Sequence, residues 1–277
     1  MIASRLAAPL LAVGLGVTPA FLAGQAVPGQ TYAVRMTTEG EPTLVATVRE
    51  SGGRLRMDFP RSREDHEGDE GHEGYLLVRD GGRTVVLVHP EEREYSVVDD
   101  TTFEQIVGKA LQVVTQTGVV QVQVRDVNIT PERLGPGEPI SGYPTRRYRI
   151  TQQFSAFVGA FGFVREEPIR QTVVTEYWVS PRLTLARNPL VELLANVATA
   201  LAQKSQSFVR RSTAARDSLF RGTPLRIVVS TRSGDGDPVK QRRIEVTDLA
   251  TTMLDPSIWT VPPDYRRRQG DFNFEIF

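Results

Sequence analysis

Apolar and polar residues alternate along most of this chain. Tyr32, Val34 and Met36 alternate with Ala33, Arg35 and Thr37, and Leu44, Ala46 and Val48 continue the pattern. Leu55, Met57 and Phe59 repeat it after the turn at Ser51-Gly52-Gly53, with Arg54, Arg56 and Asp58 on the other face. A two-residue period is that of a strand with one buried face. Tyr75–Val78 and Thr84–His89 read as a hairpin about Asp80-Gly81-Gly82, and Glu94–Val98 follows with Tyr95 and Val97 inward. This part of the chain predicts a meander of short antiparallel strands.

The period then becomes helical. Thr101 and Glu104 have capping-box spacing, Phe103, Ile106, Val107, Ala110, Leu111 and Val114 form a stripe, and Gly118 is placed to stop the helix. Strand pattern resumes at Val120, Val122 and Val124. Its phase flips at Asp126, where Val127 and Ile129 take over, which predicts a bulge. The Pro- and Gly-rich run 131–144 reads as a loop.

Two long strands, Thr145–Phe154 and Arg170–Ser180, form the centre of the pattern. The first sets Tyr148, Ile150 and Phe154 against Arg147, Arg149 and Thr151; the second carries Val, Thr, Tyr and Trp on both faces, as a strand covered on both sides would. Asn188 and Pro189 open a second helix, whose stripe is Leu190, Leu193, Leu194, Val197, Ala198 and Leu201. A weaker continuation through Phe208, Ala215 and Leu219 ends at Gly222-Thr223-Pro224. Strands Leu225–Arg232 and Val239–Leu249 close the pattern, and Trp259 and Val261 form an apolar clip before Pro262, Pro263 and Tyr265.

Together these elements predict an α+β fold: a broad, curved antiparallel sheet, an incomplete barrel of about ten strands, with two or three helices packed on its concave face. Loose packing between helices and sheet would leave an apolar cavity. Its expected lining is Phe103, Ile106, Val107, Ala110, Tyr148, Ile150, Trp178, Leu190, Leu194, Val197 and Leu201.

Composition narrows the function classes. The 277 residues are 40% hydrophobic and 24% charged with zero formal net charge, so no overall field draws in nucleic acid or anionic lipid. Arg5 followed by an apolar run and then small residues up to Ala26 has the form of a secretory signal peptide over residues 1–26, leaving 27–277 as a single exported β-rich domain. After cleavage no segment could span a bilayer as a helix. Cys is absent, which excludes disulfides, thiol catalysis, thiolate metal sites and a lipid-modified N-terminal Cys. The expected location is periplasmic or extracellular.

Candidate chemistry is sparse. His66 and His72 lie among Glu64, Asp65, Glu67, Asp69, Glu70 and Glu73, a donor set that suits a divalent ion. Their spacing is not HExxH, and Gly68 and Gly71 disfavour a helix, so a solvated loop is the stronger expectation and no metal or cofactor is assigned. No nucleophile elbow, P-loop or dinucleotide fingerprint occurs. Arg146, Arg147 and Arg149, with Arg210, Arg211 and Arg216, could form a basic surface, but interleaved aromatics for base stacking are missing.

The runs GYPTRRYRI, TEYWVSPRL, GTPLRIVVS and WTVPPDY are similar to those of a secreted bacterial family that resembles the periplasmic lipoprotein-carrier superfamily. The resemblance spans roughly Tyr32 to Tyr265. It implies an incomplete barrel that holds acyl chains, and no catalytic residues. The expectation is a non-enzymatic exported protein binding a lipid-like ligand between sheet and helices. The alternative is a cell-envelope structural or protein-interaction module with a filled core.

Overall fold

A computed structural model describes residues 25–59, 74–80, 84–99, 120–160, 163–164, 168–185, 206–219, 221–234 and 238–268. The expected meander is present as β1 (Val27–Thr38), β2 (Leu44–Ser51), β3 (Arg54–Phe59), β4 (Gly74–Arg79), β5 (Thr84–His89) and β6 (Glu94–Asp99). The chain continues through β7 (Val120–Ile140), β8 (Tyr143–Ala160), the two-residue β9 (Phe163–Val164) and β10 (Ile169–Ser180). Helix α1 (Gln206–Leu219) precedes β11 (Thr223–Ser233) and β12 (Lys240–Leu254), and a 3₁₀ turn at Pro256–Trp259 leads to β13 (Arg266–Arg267).

All strands among the described residues belong to one open sheet, ordered β13-β6-β5-β4-β3-β2-β1-β12-β11-β10-β8-β7, with β9 paired to β8. Neighbours are antiparallel except β13, which adds to β6 in parallel. Long-range pairing of β1 with β12, Val27 opposite Leu254, joins the two halves.

One apolar cluster runs across the sheet. It takes Tyr32 and Val34 from β1, Ala46 and Val48 from β2, Leu55 and Met57 from β3, Ile244 and Val246 from β12, Ile227 from β11, Tyr177 from β10 and Ile150 from β8. A second cluster, Phe154, Ala156, Val173 and Phe208, continues it beneath α1, and Ile129 and Val229 pack against both. The opposite face has an apolar cluster of its own at the β4–β6 end: Tyr75, Leu77, Val86 and Val88, covered by Val261 and Tyr265 of the C-terminal strap. Trp259 anchors that strap. Its indole Nε1 donates to the Arg49 carbonyl at 3.4 Å, Arg79 donates to its own carbonyl at 3.0 Å, and the Arg54 guanidinium lies 4.6 Å from its ring.

These observations correct the expected α+β class. The fold is a predominantly antiparallel sheet, and α1 is the single α-helix among the described residues. It arises from the stretch read as a weak continuation; the stripes Phe103–Val114 and Leu190–Leu201 lie outside the described residues. The sheet is longer than expected, thirteen described strands in place of about ten, and on its second face the C-terminal strap covers the β4–β6 end. The run 131–144, expected as a loop, is mostly the end of β7. As the last strand in the order, β7 pairs only with β8, so Pro131, Pro136 and Pro139 sit on an edge, where Pro is tolerated.

The expected bulge at Asp126 is present, with φ at +54° and the register shifting between Arg125 and Asn128. Two further shifts, at Arg133/Gly135, where Gly135 has φ +96°, and at Gly137/Ile140, bend the β7–β8 tip back over β10 and β11, and the turn Ser141-Gly142 closes it with φ +49° and +79°. There Ser141 Oγ donates to the Val246 carbonyl at 3.4 Å and Glu138 pairs with Arg226.

Trp259 is 2% exposed and holds the strap by ring packing as well as hydrogen bonds. Trp259→Ala is therefore expected to cost about 3–5 kcal/mol in urea unfolding and to make residues after Asp255 the first site of limited proteolysis.

Candidate functional site

Alternation along β8 and β10 assigns their side chains to opposite faces. Tyr148 stands opposite Tyr177 and Ile150 opposite Thr175, on the apolar face; Arg147 stands opposite Trp178 and Arg149 opposite Glu176, on the other. The expected cavity residues therefore divide. Ile150 is buried in the main cluster with half-buried Tyr148 at its margin. Trp178 lies between two arginines, with the parity of the opposite face, and also packs against the main cluster. Phe103, Ile106, Val107, Ala110, Leu190, Leu194, Val197 and Leu201, like His66 and His72, lie outside the described residues.

The apolar face carries two buried polar pairs that alternation did not reveal. Tyr32 Oη donates to Glu50 Oε2 at 3.5 Å. Burial, then the Glu50 charge and the hydrogen bond to it, raise the Tyr32 hydroxyl well above its ordinary 10.0. Gln152 Nε2 donates to Ser212 Oγ at 3.0 Å, tying α1 to β8 beside the edge-on contact of Phe154 and Phe208 at 5.4 Å. A ligand on this face would meet hydrocarbon interrupted by neutral or mutually bonded polar groups.

Across β7, β8, β10, β11 and β12 the opposite face is a charge ladder. Glu176 accepts from Arg147 at 3.0 Å and from Arg149 at 2.7 and 2.9 Å, and Arg149 also reaches Glu132 at 3.3 Å. Glu245 accepts from Arg226 at 2.9 Å and from Arg243 at 2.6 and 2.9 Å. The Trp178 ring lies between these groups, 5.0 Å from the Arg147 guanidinium and 5.3 Å from that of Arg226. Gly137 on the bent tip seals its edge: a Cβ there would stand 2.5 Å from Thr145 Oγ1, 2.9 Å from Trp178 Cδ1 and 3.0 Å from Arg147 Cγ. The individual arginines were visible in the sequence; their partners became visible only with the register.

The structure does not assemble the basic surface considered above. Arg147 and Arg149 are paired on the ladder, whereas α1 packs through Phe208 on the apolar face. From α1, Arg211 donates to the Val127 carbonyl at 3.2 Å and Arg216 pairs with Asp217 at 3.2 Å. Among the described residues no three His, Asp or Glu side chains converge as metal ligands, and no helix is long and apolar enough to cross a membrane.

Burial pushes the Glu176 and Glu245 carboxyls up, but hydrogen bonds from Arg149 and Arg147, and from Arg226 and Arg243, outweigh it and hold both below the ordinary 4.5. A lowered folded-state value adds stability above the unfolded value, and that stability is lost as pH falls through the folded value. The melting temperature is expected to drop on acidification from pH about 5 downward. Glu176→Gln and Glu245→Gln should each melt lower at neutral pH and show a flatter acid limb; an unchanged limb would place the acid-sensitive groups elsewhere. No protein-family model matches the chain and no curated protein is similar to it, so its function is read from these two faces.

Proposed function

We propose that this chain is a non-enzymatic exported protein that binds an apolar, lipid-like ligand on the apolar face of its sheet. The observation that supports this reading is the extent of that face. Side chains from β1 to β5 and from β8 to β12 form continuous hydrocarbon, and half-buried Met36, Tyr148, Ile129 and Val229 lie along its margin. Its centre, Ala46, Val48, Leu55 and Met57, is already out of water, so a long apolar ligand would gain along the half-buried margin, in proportion to the area it covers there. Ion pairs are concentrated on the opposite face, where they would not oppose an acyl chain. Export to the periplasm or the outside follows from the leader-like pattern of residues 1–26.

Native mass spectrometry of gently purified protein is expected to show a co-purifying lipid mass, and a fluorescent fatty-acid analogue should bind the delipidated chain saturably. Val229→Glu puts a carboxylate where the two clusters meet and should weaken analogue binding by at least about tenfold. Glu176→Gln, on the other face, should leave it unchanged. A ligand-free mass together with no analogue binding would replace this reading with a filled-core envelope module that binds protein.

A further inference from the structure

The arginines of the ladder face are paired, but not one to one. Arg147 and Arg149 share Glu176, Arg226 and Arg243 share Glu245, and on β2 and β3 Arg49 and Arg56 share Asp58. Register puts all three clusters on the same side of the sheet: Asp58 stands opposite Thr47, Thr47 opposite Ala33, and Ala33 opposite Thr247, two residues from Glu245. Each cluster therefore carries one positive charge more than it neutralises. Exposed Arg35, opposite Glu245, and exposed Arg54 add two more, and Glu132 and Glu138 of β7 take two away. Among these described groups the excess is three positive charges. Toward the strand ends Arg125, Arg170 and Arg232 more than offset Asp126 and Asp248, which stand at positive φ.

The charges are also layered. Glu176 and Glu245 have 19% and 17% of their side chains exposed, whereas their partners Arg147 and Arg243 have 37% and 45%. Asp58 is likewise deeper than Arg49. Carboxylates thus lie nearer the backbone and guanidinium groups nearer the solvent. We propose that this face docks on an anionic lipid surface through its outward arginines. The chain as a whole is neutral, so the excess is local and turns this one face toward an anionic layer. Breadth selects a layer over a single strand of charge. The clusters span seven hydrogen-bonded strands, β3 to β8 in the sheet order, about 30 Å at the usual strand spacing. A linear polyanion would cover one row of that width, whereas a headgroup layer meets every outward arginine at once. The deeper carboxylates hold those arginines in place, so little side-chain freedom is lost on docking. The surface lies opposite the hydrocarbon face and does not rest on binding there.

The test is co-sedimentation of the full chain with vesicles of phosphatidylcholine alone and of phosphatidylcholine with one-third phosphatidylglycerol. The chain should bind the second and not the first, and raising sodium chloride from about 0.05 M to about 0.3 M should release it. Each outward arginine removed should weaken binding about fivefold. The combined variant Arg35→Gln, Arg49→Gln and Arg243→Gln cancels the excess and should therefore bind at least about a hundredfold more weakly. Asp58 and Glu245 each keep their other arginine in it, and a melting curve checks that it folds. Glu132→Gln should strengthen binding about fivefold, a gain that unfolding would not produce. Val229→Glu, on the hydrocarbon face, should leave it unchanged. Equal binding to both vesicles, binding that salt does not weaken, no change in the folded combined variant, or no gain with Glu132→Gln would each overturn the proposal. Binding to heparin but not to the anionic vesicles would overturn it too, and would give the face to a soluble polyanion.

Discussion

Register across β8, β10, β11 and β12 is the constraint on which the two faces depend. Sliding β10 by one residue would carry Glu176 in among Ile150 and Val229 and turn Tyr177 out to the arginines. Neither outcome is tolerable: a carboxylate would lose its guanidinium partners inside hydrocarbon, and a buried aromatic would lose its packing. The ladder of Arg149, Glu176, Arg226 and Glu245 thus adds little as isolated surface pairs and much as a selector of one alignment. Apolar packing drives the sheet together; the charges decide which way each strand faces.

The strands were legible because each has a face that must be dry. Leu55 and Met57 against Arg54 and Arg56, or Tyr148 and Ile150 against Arg147 and Arg149, give the period directly, and the phase flip at Asp126 announces its bulge. The run 131–144 was misread because prolines and glycines that usually mark a loop also suit an edge strand with irregular pairing. Whether a strand is an edge depends on topology, and topology is not local.

The candidate site was legible only in part. Ile150 and Tyr148 reveal their face by alternation, whereas Trp178 lies in a strand with large residues on both faces, where alternation does not choose a side. Its neighbours Arg147 and Arg226 are far apart in sequence, and their convergence on one ring is a product of the register. The same holds for Tyr32 with Glu50 and Gln152 with Ser212: alternation puts Tyr32 on the dry face, but Glu50, Gln152 and Ser212 look like ordinary solvent-facing residues until each pair is found buried together.

The C-terminal strap carries a consequence for the order of assembly. Trp259, Val261 and Tyr265 cover strands β3 to β6, while β12 is the partner of β1, so the first parts of the chain to emerge are completed by the last. Contacts this distant in sequence are slow to close. Until the final strands arrive, Tyr75, Leu77, Val86 and Val88 stay bare and β6 keeps an unpaired edge, so a partly emerged chain is a sticky one. Such a topology suits a polypeptide that is kept unfolded until its whole length is released in one place.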